Sequence, residues 1–360
     1  MTLSIKFSQI IRNTSKVSVV ALTIGLATTI AGVKYSLAQQ KVNLVGAGAS
    51  FPAPLYQRWF ADMRDSRSDV GVDYQSVGSG AGVERFTQEL VDFGASDVAM
   101  KDEEIAKVGR GVMMLPMTAG SVVLAYNLPG VSELKLSREV YVDILLGKIT
   151  KWNDSKITAI NSGVNLPNIP ITVVHRSDGS GTTGVFTKHL SAISSEWKQK
   201  VGEGKTVSWP TGVGGAKNDG VAALIRQTEG GIGYVEFGFA QSAKLNTAAL
   251  ENKSGNYVKA SLDSAKATLA AVKLPANLRA FISDPEGGDS YPIVTYSWML
   301  IYGQYDAAKA QAIEKMIEYG LNEGQKVSAD LGYIPLPNNV RQTVAAAADK
   351  ISSGYQISLK

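Results

Sequence analysis

The chain has no cysteine and only two histidines, His175 and His189. The missing thiols exclude disulfides, thiolate catalysis, cysteine metal sites and a lipid anchor on a cysteine after a leader. Two lone histidines argue against a histidine-rich metal centre. No Gly-x-x-x-x-Gly-Lys-Ser/Thr phosphate loop and no Gly-x-Ser-x-Gly nucleophile elbow occurs. Only one segment is apolar enough to raise the question of a membrane, residues 17–33. It follows Lys6, Arg12 and Lys16, is interrupted by Thr and Gly, and ends at the small-x-small triplet Ser36-Leu37-Ala38. That pattern predicts a secretory signal over 1–38, a mature chain beginning at Gln39, and a periplasmic protein without a lipid anchor.

The leader also accounts for the charge. The formal net charge of the 360 residues is +4. Lys6, Arg12, Lys16 and Lys34 all precede the cleavage site, where no acid stands, so the mature chain is neutral overall. Its composition therefore gives no reason to expect nucleic acid or an acidic membrane as partner. Length suggests about two domains and allows a large core without cross-links.

Strand-like runs lie at 42–45, 70–75, 91–95, 122–126, 171–174, 232–235 and 293–296. Amphipathic stretches lie at 55–63, 83–90, 140–145, 183–193, 221–227, 307–319 and 340–351. Alternating strands and helices predict an α/β fold with mostly parallel sheets flanked by helices. Ligands of such sheets sit beyond the carboxyl ends of the strands.

Four loops occupy such positions. The segment Arg176-Ser177-Asp178-Gly179-Ser180-Gly181-Thr182 leaves an apolar strand and enters a helix. Glycines allow close backbone approach, the first helical N–H groups lack internal partners, and Ser180, Thr182 and Arg176 add donors. Asp178 is placed to hold Arg176 as an ion pair. Gly46-Ala47-Gly48-Ala49-Ser50-Phe51-Pro52 and Gly78-Ser79-Gly80-Ala81-Gly82 repeat the arrangement. Taken alone, each reads first as a tight strand-to-helix turn; three such loops at strand-to-helix turns together point to an anion cradle. Asp97, in the fourth loop, reads either as a cap for a helix near Glu103 or as an acceptor among donors. In the second role it would repel a fully ionised anion and favour one that still carries a proton, as phosphate does and sulfate does not. Gly179-Ser180-Gly181-Thr182-Thr183-Gly184 also matches Gly-x-Gly-x-x-Gly, but Glu196, at the distance of the expected acid, lies in a helix-like stretch. Ser195-Glu196-Trp197-Lys198 matches Ser-x-x-Lys without its partner motifs and reads as a solvated helix face. Trp209 reads as a packing residue.

Taken in order, 46–54, 91–97 and 176–182 resemble the periplasmic phosphate-binding proteins (PstS family) of high-affinity phosphate ABC transporters. Weaker echoes are Leu146-Gly147-Lys148-Ile149-Thr150-Lys151-Trp152, Asn218-Asp219-Gly220 and Gly233-Tyr234-Val235-Glu236. The resemblance spans nearly the whole mature chain. It implies a two-domain periplasmic-binding-protein fold (type II) closing on phosphate in the interdomain cleft. By that analogy one domain comprises 39–117 and 294–360, the other 118–293, with crossings near 116–120 and 291–297. It further implies phosphate contacts from Ser50, Phe51, Ser79, Asp97, Arg176, Ser180, Gly181 and Thr182, with Asp178 supporting Arg176. The family often has Thr where Ser50 stands and a second Ser where Gly80 stands. The expected partner is the transmembrane permease of a phosphate ABC transporter. No cofactor, metal, catalysis or nucleic acid is expected, and the protein is expected to be a monomer. Rival readings are a receptor for another tetrahedral anion, an exported phosphatase or serine hydrolase using Ser50, Ser79 or Ser180, and a structural or adhesive role.

Overall fold

The computed structural model describes residues 41–66 and 69–360. The expected leader, 1–38, lies outside the described residues. The strands are β1 (Val42–Gly48), β2 (Val70–Ser76), β3 (Phe93–Ser96), β4 (Val112–Asn127), β5 (Lys135–Leu136), β6 (Thr172–Arg176), β7 (Val213–Gly215), β8 (Gly231–Glu236), β9 (Asn246–Thr247), β10 (Ala249–Glu251), β11 (Tyr257–Val258) and β12 (Val294–Tyr302). The helices are α1 (Ala53–Ser66), α2 (Ser79–Thr87), α3 (Asp102–Ile105), α4 (Arg138–Leu145), α5 (Ser155–Ile160), α6 (Gly181–Ile193), α7 (Ser195–Lys200), α8 (Lys217–Gln227), α9 (Phe237–Ser242), α10 (Leu262–Ala270), α11 (Ala307–Leu321), α12 (Glu323–Lys326) and α13 (Asn338–Ala348). No described helix is long and apolar enough to cross a membrane.

The main sheet runs β2-β1-β3-β12-β4-β8-β6-β7, with β9 on β4; β11-β10-β5 form a small second sheet. Its first half is parallel around β1, and its second half is parallel around β6. The halves are joined by antiparallel strands. β4 pairs with β12 from Val112 to Ser121 and with β8 from Val122 to Asn127. A single 16-residue strand therefore serves both halves and changes partner between Ser121 and Val122.

The apolar runs predicted as strands all lie wholly or mainly in strands, but β4 and β12 extend well past the expected 122–126 and 293–296. Pro116 obscured β4, because a proline removes a ladder N–H and normally argues against a central strand. Here it faces Trp298 at a register shift between Ser297 and Trp298, so that Met117 is the extra residue. The Met117 carbonyl accepts from Gln325 Nε2 at 3.1 Å, which satisfies the bulge. Helix α2 starts at Ser79, four residues before its apolar periodicity, because its first turn is Ser-Gly-Ala-Gly.

The first half packs aromatic side chains between sheet and helix. Tyr74 stacks on Phe93 at 6.1 Å and meets Tyr56 edge-on at 5.3 Å. Trp59 is buried and donates from Nε1 to the Gly324 carbonyl at 2.8 Å, which ties α1 to α12. Helix α2 lies directly on β1 because Gly82 has no side chain: a Cβ there would stand 2.3 Å from Gly48 Cα. A backbone atom cannot yield as a side-chain tip can. Gly82→Ala is expected to destabilise the fold by about 1–3 kcal/mol, read as a lower urea midpoint. An unchanged midpoint would mean that the helix stands off the strand.

Candidate functional site

The loops after β1, β2, β3, β6 and β7 all lead from carboxyl ends of parallel strands, and they meet. The second half supplies the cation. Arg176 ends β6 with its side chain only 1% exposed. Its Nε and Nη2 donate to Asp178 Oδ1 and Oδ2 at 2.7 and 2.6 Å, a two-pronged fork. Asp178 Oδ1 also accepts from the Lys217 N–H at 3.0 Å. Burial alone would raise the Asp178 carboxyl, but Arg176 and these N–H groups hold it below its ordinary value. With that edge of the guanidinium engaged, Nη1 stands 3.5 Å from Thr182 Oγ1. Backbone and ring contacts fix the corner. The Arg176 N–H donates to Tyr234 Oη at 3.1 Å, and Tyr234 is pressed between Phe186 and Trp209 at 4.5 and 5.4 Å.

Ser180 is the N-cap of α6, its Oγ accepting from the Thr183 N–H at 3.0 Å. The turn reading and the donor reading of this loop therefore coexist, since a hydroxyl that accepts a cap bond still has a proton to give. The Ser180 N–H donates to the Lys205 carbonyl at 2.8 Å. Lys205 Nζ in turn pairs with Glu104 Oε1 at 3.0 Å, across to the first half of the molecule.

The first half supplies a carboxyl. Asp97 follows β3 and is 2% exposed. Ser297 Oγ donates to its Oδ1 at 2.8 Å, and Ser79 Oγ lies 3.4 Å from Oδ2. The Asp97 N–H donates back to Ser79 Oγ at 3.3 Å. Asp97 caps no helix: Lys101 occupies the N-cap of α3. Burial raises the Asp97 carboxyl to about 7, against the opposing influence of Ser297, Arg176 and Ser79. Glu236, wholly buried nearby, is pushed well above its ordinary value by burial, and its Oε2 caps α9.

The halves touch at backbone level. The Gly80 N–H donates to the Gly179 carbonyl at 2.8 Å. A Cβ on Gly181 would lie 2.4 Å from Ser79 Oγ and 2.6 Å from Asp97 Oδ2. Ser50 reaches across as well: its Oγ accepts from the Asn218 N–H at 3.2 Å and from Asn218 Nδ2 at 3.0 Å. Phe51 is fully buried, with its carbonyl accepting from Tyr333 Oη at 2.6 Å.

All nine residues singled out in the sequence thus fall in one cluster, buried except for the half-buried Asp178: Ser50, Phe51, Ser79, Asp97, Arg176, Asp178, Ser180, Gly181 and Thr182. Three further residues hold them, and the sequence reading gave none of the three a role in the site. Asn218 carried a usable signal, since Gly214-Gly215 leading into α8 repeats the strand-glycine-helix form. Ser297 and Tyr234 lie inside apolar strands; Tyr234 falls within the family echo at 233–236, and Ser297 carries no such signal. Other candidates fall elsewhere. His175 stacks on Trp209 at 5.0 Å, and His189 is a core residue bonded to Tyr141 Oη at 2.8 Å. Burial lowers His189 to about 3, so it stays neutral. Ser195 and Lys198 lie exposed on α7. Among the described residues no group of three His, Cys, Asp or Glu could hold a metal.

The arrangement is one buried carboxyl among hydroxyl, guanidinium and helix N-terminal donors. It suits a small oxyanion that donates one hydrogen bond and accepts many. Comparison with known proteins agrees with this chemistry. A family model described as PBP superfamily domain matches residues 34–321. Phosphate-binding protein PstS of Pasteurella multocida is 41% identical over 317 residues, covering 87% of this chain and 91% of that protein. Phosphate-binding protein PstS of Methanocaldococcus jannaschii is 39% identical over 330 residues, covering 84% and 85%. Among solved structures, a high-affinity periplasmic phosphate-binding protein bound with phosphate superposes with a TM-score of 0.71 at 21% identity, covering 87% of this chain and 96% of that one. The phosphate-binding protein of Stenotrophomonas maltophilia gives 0.68 at 20%, covering 89% and 100%. The fold is that of a two-domain periplasmic binding protein of type II. The chain belongs to the PBP superfamily and, within it, to the PstS family of phosphate-binding proteins.

Asp97 makes stability depend on pH. An unfolded aspartate titrates near about 3.9, the folded one near 7. Between these values the folded chain keeps a proton that the unfolded chain has released, so this group's contribution to stability falls as pH rises through the window. In anion-free buffer Asp97→Asn is expected to be more stable than the parent near neutrality, by up to about 4 kcal/mol, with the gap closing toward pH 4. Urea denaturation at both ends of the window measures it. A gap independent of pH would mean that Asp97 is not buried as described.

Proposed function

We propose that this protein is an extracytoplasmic receptor that captures inorganic phosphate and delivers it to the transmembrane permease of a phosphate ABC transporter. It works as a monomer in the periplasm once the leader is removed, and it performs no chemistry on its ligand. The observation that carries the reading is the pairing of a buried acceptor, Asp97, with the buried cation Arg176 inside a set of neutral donors.

In this reading Arg176 Nη1 neutralises part of the anion's charge, with its other edge anchored by Asp178. Ser50, Ser79, Ser180 and Thr182 donate from hydroxyls. The N–H groups of Phe51, Ser79, Gly181 and Thr182 donate from loop and helix N-termini. Hydrogen bonds to a charged group are roughly twice as strong as neutral ones, and a desolvated cleft strengthens them further. Asp97 accepts the proton that phosphate retains near neutrality. Sulfate has no such proton, so where Asp97 is ionised two negative oxygens would face each other without water, and the loss is a repulsion as well as a missing bond.

The lobes that close on the ligand are 39–117 with 294–360, and 118–293. The switch of β4 from β12 to β8 at Ser121 and Val122 supports crossings at 116–120 and 291–297. The contacts of Gly80 with Gly179 and of Lys205 with Glu104 then belong to the closed state, and hinge closure marks the loaded receptor.

Isothermal titration of the chain from Gln39 onward, freed of anions, tests the reading. Phosphate is expected to bind one to one and tightly, and Arg176→Ala to lose about 3 kcal/mol or more, over about a hundredfold in Kd. Binding of sulfate in place of phosphate would keep the cradle and overturn the ligand. Near-native affinity in Arg176→Ala would place the site elsewhere.

A further inference from the structure

We propose that Asn218 is a positioning residue that fixes the proton directions of the Ser50 and Thr182 hydroxyls, so that both can only donate into the site. The inference rests on the phosphate reading above and adds a residue to it. It starts from an asymmetry. A serine or threonine hydroxyl has one proton and two lone pairs, and nothing intrinsic decides which of them faces a ligand. A site for an anion needs the proton there.

Asn218 is fully buried in the first turn of α8. Its Oδ1 accepts from the Glu236 N–H at 3.0 Å. A backbone N–H can only donate, so this bond settles which end of the amide is oxygen and turns Nδ2 toward the two hydroxyls. Nδ2 carries two protons and has two partners, Ser50 Oγ at 3.0 Å and Thr182 Oγ1 at 3.3 Å. The Asn218 backbone N–H adds a second bond to Ser50 Oγ at 3.2 Å. Both lone pairs of Ser50 are then engaged. Thr182 is in the same state, its second acceptor position facing Arg176 Nη1 at 3.5 Å. Among the described residues neither hydroxyl donates to a protein acceptor. The protons of both are therefore left for the ligand.

The order of command runs outward from the backbone: the Glu236 N–H orients the amide, the amide orients the hydroxyls, and the hydroxyls meet the anion. Orientation fixed before binding lowers the ordering cost of association. One amide also sets donors on both sides of the cleft, because Ser50 follows β1 and Thr182 follows β6. This is the mirror image of Asp97, whose Oδ1 is taken by Ser297 at 2.8 Å while its Oδ2, with only the long 3.4 Å contact to Ser79, keeps acceptor capacity for the ligand.

A mutant cycle read by calorimetric titration of phosphate tests the assignment. The variants are Asn218→Ala, the double variant Ser50→Ala with Thr182→Val, and all three together, each checked for a native melting transition. Asn218→Ala alone is expected to weaken binding by about tenfold or more. In the background that lacks both hydroxyls it is expected to cost less than about threefold. The same loss in both backgrounds, or no loss in either, would overturn the assignment and leave Asn218 a packing residue. Asn218→Ser goes through the same cycle if Asn218→Ala does not fold. Absence of phosphate binding by the parent protein would instead overturn the reading on which the inference rests.

Discussion

The structure depends on keeping one carboxyl out of water without a cation of its own. Asp97 is 2% exposed, and its immediate partners are two serine hydroxyls. Arg176 is near enough to lower its titration point but is held by Asp178, so burial prevails and the group sits near 7. A fold arranged only for stability would place an apolar side chain here or pair the acid outright. Under the proposed reading the unfavourable placement becomes intelligible, because an anion with a proton to donate would satisfy the acid and be satisfied by it.

The remaining architecture serves that meeting. β12 brings Ser297 beneath Asp97 at the point where its register with β4 shifts, and the shift is what a central Pro116 requires. β4 then continues into the second half and pairs with β8, which ends at Glu236 and so places the N–H that orients Asn218. Glycine at 181 lets the N-terminus of α6 come against Ser79 and Asp97. The same long strand thus carries the packing of both halves and the geometry of the site.

How much of this was legible beforehand follows from the range of the interactions. The loops around Ser50, Ser79, Asp97 and Arg176 were visible because glycine, serine and arginine at a strand-to-helix turn make a local pattern. The ion pair of Arg176 with Asp178 lies two residues apart and could be read directly. Of the two readings of Asp97, the cap is ruled out by Lys101, which takes the N-cap of α3, while the hydroxyl that holds its buried carboxyl, on Ser297, lies 200 positions away and was beyond local reading. Tyr234 stood in a family echo, but the role of its hydroxyl was hidden for a similar reason, as it works from within a buried strand. Asn218 followed a glycine-rich strand end but lacked the hydroxyl and arginine that marked the other loops. The full lengths of β4 and β12 were obscured by Pro116, whose cost is absorbed by a bulge that only the paired strands reveal.

The central claim is that a single buried acceptor among donors sets the choice of anion. The most direct measurement is the ratio of phosphate to sulfate affinity in the parent protein and in Asp97→Asn, titrated side by side at neutral pH. The amide keeps the shape, removes the charge and can donate, so the ratio is expected to collapse, with sulfate gaining and phosphate losing. An unchanged ratio would contradict the account and assign selectivity to the donors alone.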